Sequence, residues 1–236
     1  MAREATWLVA ADRRHPARLP PGTPDNRRTS IRHARLRTGH TVGMSIWYGP
    51  HVADDGELRL CGDVAGKRVI ELGIAQEPNS IAMAIAGAKA IAVDADQRAI
   101  ATLRAAAERA EVRVECHQGD LADLGFATSA SVDLVVAAHS LTAVDDLPRV
   151  LRQVHRVLKP GAPFVVATTH PVAAMFTNDA TATYAYGAGA STFAELYMAF
   201  ERSNFHLDMV HELPDRRVRD PLCPSVLVLR ARKQGV

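Results

Sequence analysis

From Lys67 onward the apolar positions of the chain switch between two spacings. Arg68-Val-Ile-Glu-Leu72 reads as a buried strand closed by Gly73, and Ala90-Ile-Ala-Val93 as a second strand ending at Asp94. Ser80–Ala88 between them has the helical period. Asp96–Ala110 predicts a helix with Ile100, Leu103 and Ala107 on one face and Asp96 as its N-cap. Val112–Cys116 predicts a third strand and Val132–Ala138 a fourth, whose nearly unbroken apolar run suits a strand covered on both faces. Leu147, Val150, Leu151, Val154 and Leu158 form the stripe of the next helix, with Asp145 and Asp146 at its start and Pro148 in its first turn. Lys159-Pro160-Gly161 stops it, because Pro cannot continue a helix and Gly accepts the left-handed cap. Pro163–Thr169 predicts a fifth strand, Thr192-Phe-Ala-Glu195 a capping box opening a helix through Phe200, and His206–Val210 and Ser225–Ala231 two more strands.

This alternation predicts an α/β fold: a doubly wound, mostly parallel seven-stranded sheet with helices on both faces. Right-handed crossovers then bring the strand C-termini to one edge, where ligands bind. Four strand exits on that edge carry candidate chemistry. Glu71, Gly73 and the loop to Ser80 let backbone N–H groups approach a ligand, and Asp94 can accept both hydroxyls of a ribose. Asp120 can face an adenine amino group, and Ala138-His139-Ser140 follows the fourth strand. Plainer roles stand beside these: Asp94 and Asp120 as caps of the following turns, and His139 and His170 as histidines satisfied by backbone carbonyls. Otherwise either histidine is a candidate general base. Trp47, Tyr48 and His51 lie in a segment that could fold over the pocket, with Tyr48 a further catalytic candidate. No His/Asp/Glu cluster has metal-ligand spacing, so no metal is expected.

Composition changes this picture mainly at the N-terminus. The net charge is +2, but residues 1–40 hold nine Arg against three acids, leaving 19 basic and 23 acidic residues in the remainder. Residues 1–43 read as a basic, flexible leader and 44–236 as a single domain, with Met44 a plausible second start. The overall charge balance argues against nucleic acid as the main partner. The apolar stretch Ala5–Ala11 is too short to cross a membrane, so no membrane partner is expected. Three cysteines without a CxxC pair fit a cytoplasmic location. The oligomeric state is open, a dimer included.

Glu-Leu-Gly at 71–73, Val-Asp at 93–94, Gly-Asp at 119–120, Ser-Val-Asp-Leu-Val-Val at 131–136 and Leu-Lys-Pro-Gly at 158–161 resemble, in order and spacing, the motifs of class I S-adenosylmethionine (SAM)-dependent methyltransferases. Asn79-Ser80-Ile81-Ala82 and Thr169-His170-Pro171 resemble that family's small-molecule branch. The resemblance implies a Rossmann-like fold, SAM as cofactor with S-adenosylhomocysteine as product, and methyl transfer to an O, N or C nucleophile of a small-molecule acceptor. Glu71 and Gly73, with Ala75 and Asn79 of the same loop, would then hold the methionine end of SAM. Asp94 would bind the ribose with Ala95 against the adenine, Asp120 and Leu121 would meet the adenine amino group, and the Ala138–His139 backbone the methionine amine.

Ala75 and Glu77 depart from that pattern, which has glycine at both positions. A Glu77 carboxylate beside that of SAM would repel it by roughly 4 kcal/mol at an effective dielectric of about 20. This departure, with the short stretch at 177–190, keeps a second reading open: a domain that retains the fold but has lost or repurposed methyl transfer. A nicotinamide-dependent dehydrogenase is disfavoured, because the loop lacks the glycines that seat a pyrophosphate.

Overall fold

The computed structural model describes residues 45–177 and 181–235. The expected leader, residues 1–43, and Met44 lie outside the described residues. One seven-stranded sheet has the order β3-β2-β1-β4-β5-β7-β6. Its parallel strands are β1 (Arg68–Leu72), β2 (Lys89–Asp94), β3 (Val114–Gln118), β4 (Leu134–Ala138) and β5 (Pro163–Thr169). β6 (Phe205–Leu213) and β7 (Val226–Lys233) form an antiparallel hairpin, with β7 inserted between β5 and β6.

Alternation along the strands sends apolar side chains to both faces, as a doubly wound sheet requires. Ile70, Leu72, Val135, Phe164 and Leu229 pack beneath α4 (Leu147–Val157) and α5 (Phe193–Arg202). Val69, Leu134, Val136, Val165 and Val228 pack instead with Met83 of α2 (Asn79–Ile85) and with the segment that enters the domain, including Tyr48 and Leu60. α1 (Asp55–Leu58), a single turn in that segment, has no apolar stripe and left no signal in the sequence. α3 (Gln97–Arg109) buries Ile100, Leu103 and Ala107, and its Asp96 cap accepts from the Arg98 amide. The Thr192–Glu195 capping box also forms as expected.

The differences lie at element ends. β3 begins two residues later than expected, because Glu111 takes a left-handed φ of 56° and Val112 donates back to Ala107 as the exit of α3. α2 stops at Ile85, two residues before Gly87, which turns the chain at φ 86°. Val132, expected in β4, makes only an isolated bridge to Leu158. β6 runs from 205 to 213, beyond the expected 206–210, with a register shift between Leu207 and Met209 that leaves Asp208 as the extra, bulged residue. Between β3 and β4 no helix forms; an irregular segment lays Leu124 and Ala127 on the sheet.

Candidate active site

The loop after β1 is organised from below. Glu71 is fully buried on the α2 side of the sheet, where Oε1 accepts from the amides of Ala75 (3.1 Å) and Asn79 (2.9 Å) and Oε2 from Ser80 (2.8 Å). Burial pushes its pKa up, opposed by these amides. Its carboxylate therefore caps α2 and shapes the loop from beneath. Gly73 has φ 75°, and a Cβ at this position would overlap that of Ser140, the residue after His139 at the β4 exit. The Ser140 hydroxyl donates to the Leu72 carbonyl, so the exits of β1 and β4 are pressed together.

A cavity of about 640 Å³ opens along this edge, and Gly73, Asp94, Ala95, Asp120, Leu121 and His139 all line it. Asp94 accepts from the Ile74 amide through Oδ2 and from the Asp96 amide through Oδ1, both at 2.8 Å, which orients the carboxylate and leaves each oxygen a lone pair. Asp120 caps the turn after β3 by accepting from Ala122, and its second oxygen meets the Arg149 guanidinium at 3.3 Å. Asp145, Asp146 and Arg149 line the same cavity. In the sequence the two aspartates mark only the start of α4, and nothing local places them at the site. Four aspartates against one arginine leave the lining formally at −3.

A second cavity of about 360 Å³ shares Ile74, His139 and Ser140 with the first, and adds Trp47, Gln76 and Thr169. Ala75 and Ala138 line it too, so the expected loop and strand-exit positions meet there. His139 is its one ionisable side chain. The residue takes a left-handed φ of 59°, which costs roughly 1–2 kcal/mol for a residue with a Cβ. Its Nε2 lies 2.8 Å from the Tyr48 carbonyl, which can only accept. The proton must therefore sit on Nε2, leaving Nδ1 with the lone pair when the ring is neutral. The Trp47 ring is 5.7 Å away, and a Cβ on Gly49 would come within 3.1 Å of His139 Nε2.

Other candidates lie elsewhere. Tyr48 is fully buried, its hydroxyl donating to Asp55 Oδ1 at 2.6 Å beside Cys61; burial, with the Asp55 carboxylate next to it, raises its pKa far above the usual value. It touches the site only through its carbonyl. His170 is buried with both nitrogens engaged: Nδ1 accepts from the Val172 amide and Nε2 faces Glu212 at 3.0 Å. Neither the Tyr48 ring nor His170 lines either cavity. Asn79 is buried and turned toward the Trp47 backbone. Glu77 is exposed and lines neither cavity, so the repulsion expected from it has no geometric basis. His51 is exposed at φ 58° and lines neither. Among the described residues no three His, Cys, Asp or Glu side chains converge as a metal site, and no helix is long and apolar enough to cross a membrane.

Residues 70–166 match a family model described as a methyltransferase domain. Over 114 residues the chain is 31% identical to a Mycolicibacterium smegmatis protein named "Probable S-adenosylmethionine-dependent methyltransferase", covering 48% of this chain and 42% of that protein. It is 29% identical over 114 residues to a ubiquinone biosynthesis O-methyltransferase of Xanthomonas oryzae pv. oryzae, covering 48% of each. These matches span about half the length of the curated relatives, or less. The crystal structure of a SAM-dependent methyltransferase from Mesorhizobium loti superposes with a TM-score of 0.59 at 22% identity, covering 75% of this chain and 95% of that one. Residues 70–166 thus match a methyltransferase-domain model, and the fold that contains them is the one seen in solved SAM-dependent methyltransferase structures.

Proposed function

We propose that this protein transfers a methyl group from SAM to a nucleophile on an uncharged small molecule, with His139 as general base. The observation that carries the reading is the pairing of two adjoining cavities, one acidic and one nearly neutral, across Ile74, His139 and Ser140. The acidic one fits SAM, whose sulfonium and ammonium groups outnumber its carboxylate. A lining at −3 would repel the pyrophosphate of a dinucleotide instead. Asp94 would take the ribose hydroxyls, Ala95 and Leu121 would flank the adenine, and Asp120 would accept from its amino group. Gly73 would let the loop backbone reach the methionine end. SAM supplies the electrophile, a methyl group on a cationic sulfur.

The chain's own contribution is alignment and proton removal. Trp47, Ile74 and Ala138 would hold an apolar acceptor body in the second cavity and exclude water. His139, fixed by the Tyr48 carbonyl, offers Nδ1 to the acceptor's proton. The absence of a fixed charge there supports a neutral acceptor with a hydroxyl or amine.

Calorimetric titration with SAM and S-adenosylhomocysteine tests the cofactor. Micromolar binding of both is expected, weakened at least tenfold in Asp94→Ala. No binding by wild type up to millimolar concentrations would overturn the reading. Binding without transfer of labelled methyl to any member of a phenol and amine panel would favour repurposed chemistry on the same cofactor site.

A further inference from the structure

At the opposite end of the sheet a cavity of about 710 Å³ lies where β1, β2 and β3 begin, lined by Arg68, Lys89, Arg104 and Arg113. Strand register explains the convergence. Arg68 and Lys89 are direct partners across β1 and β2. Ala90 pairs with Val114, so the preceding residues Lys89 and Arg113 adjoin at the next strand. Three cations thus stand in a row across three neighbouring strands, and Arg104 joins them from α3. Alternation puts Arg68 on the same face as Ile70, and Lys89 on that of Ile91, the side where no helix covers the β3–β4 crossover.

These charges are not neutralised from within. Among the described residues, Lys89, Arg104 and Arg113 make no side-chain hydrogen bond or ion pair, and Arg68 reaches only the Ser131 hydroxyl, at 3.3 Å. Glu115 is the one acid in the lining, and it lies 2.6 Å from His117. Elsewhere on the domain several arginines are matched, among them Arg216 with Glu57, Arg217 with Asp215, and Arg230 and Arg232 with Asp208. A domain with 19 basic and 23 acidic residues beyond residue 40 therefore gathers four cations around one opening. Their mutual repulsion is relieved by an anion carrying several charges.

We propose that this basic cavity binds a small polyanion of the oligophosphate class, at a site separate from the methyl-transfer cavities. Arginine guanidinium groups from β1, from the residue before β3 and from α3 suit several phosphate oxygens at once, whereas a single carboxylate would satisfy only one or two of them.

The test is a thermal-shift and calorimetric titration of the full chain with inorganic tripolyphosphate, against sodium chloride at matched ionic strength. Saturable binding is expected with a rise in melting temperature that chloride does not give. Affinity should fall at least tenfold in Lys89→Gln/Arg113→Gln, two exposed positions far from the catalytic edge, with S-adenosylhomocysteine binding unchanged. Equal shifts from tripolyphosphate and chloride, or undiminished binding by the double variant, would overturn the proposal. So would binding of single-stranded RNA at these residues that tripolyphosphate cannot displace, since the partner would then be a macromolecule. None of these outcomes depends on whether methyl transfer is observed.

Discussion

Asn79 holds Trp47 by both edges of its backbone: Oδ1 accepts from the Trp47 amide at 2.6 Å, and Nδ2 donates to the Trp47 carbonyl at 3.0 Å. The Asn79 amide in turn rests on Glu71. One line of hydrogen bonds therefore runs from the buried acid of β1, through the first residue of α2, to an aromatic wall of the neutral cavity. Asn79→Ala removes both contacts to Trp47 and is expected to cost about 2 kcal/mol, the scale of leaving such groups without partners. Chemical denaturation measures the loss. In a Trp7→Phe background, the remaining Trp47 emission should also shift to the red.

On the proposed reading of His139 as general base, its replacement separates chemistry from binding. His139→Gln is expected to lower turnover about 100-fold at neutral pH, within the usual range for loss of a general base. Added imidazole should restore part of the variant's rate by supplying the missing base, while it leaves the wild-type rate unchanged. Equal responses of the two proteins to imidazole would show that the ring only fills space.

Asp208 gives a pH-dependent contribution to stability far from the site. Burial alone would raise its pKa, but hydrogen bonds from Arg230 and Arg232 outweigh that and hold the carboxyl below its usual range. A depressed folded-state pKa means the stabilisation is fully present above the unfolded value near 3.8 and is lost as pH falls through the folded value. Asp208→Asn should therefore melt below wild type throughout the pH range 5–8, with the gap closing under strongly acidic conditions. Melting curves across pH decide this; a gap that persists in acid would mean the bulge geometry, and not the charge, is what the substitution disturbs.

Much of the fold is legible in the sequence because the parallel strands are short, four of them largely apolar runs and β3 an alternating one, and each hands over to a turn at its exit. Asp94, Asp120 and His139 could be placed on the ligand edge from that alone. The role of Glu71 is not legible in the sequence. An acid inside an apolar strand announces a partner, but its spacing to Ala75, Asn79 and Ser80 acquires meaning only once the loop folds back over it. His170 shares the strand-exit position with His139, yet the hairpin partner Glu212, 42 residues later, turns it away from the cavity. Asp145 and Asp146 looked sufficient as a helix start, and nothing local says that the same turn also walls the site. Arg68, Lys89 and Arg113 are scattered in the sequence and become neighbours only through strand register.

The position of β7 between β5 and β6 sets a condition on how the chain can mature. β6 leaves the ribosome before β7, its neighbour in the sheet, exists, and the outer edge of β5, with Val165 and Val166 on it, stays without its described partner until residues 226–233 have emerged. Every nascent chain shorter than that carries an open apolar strand edge of the kind that recruits chaperones or other chains. Completion of the sheet is therefore a late, long-range event, and losing β7 would strip away two strands, not one.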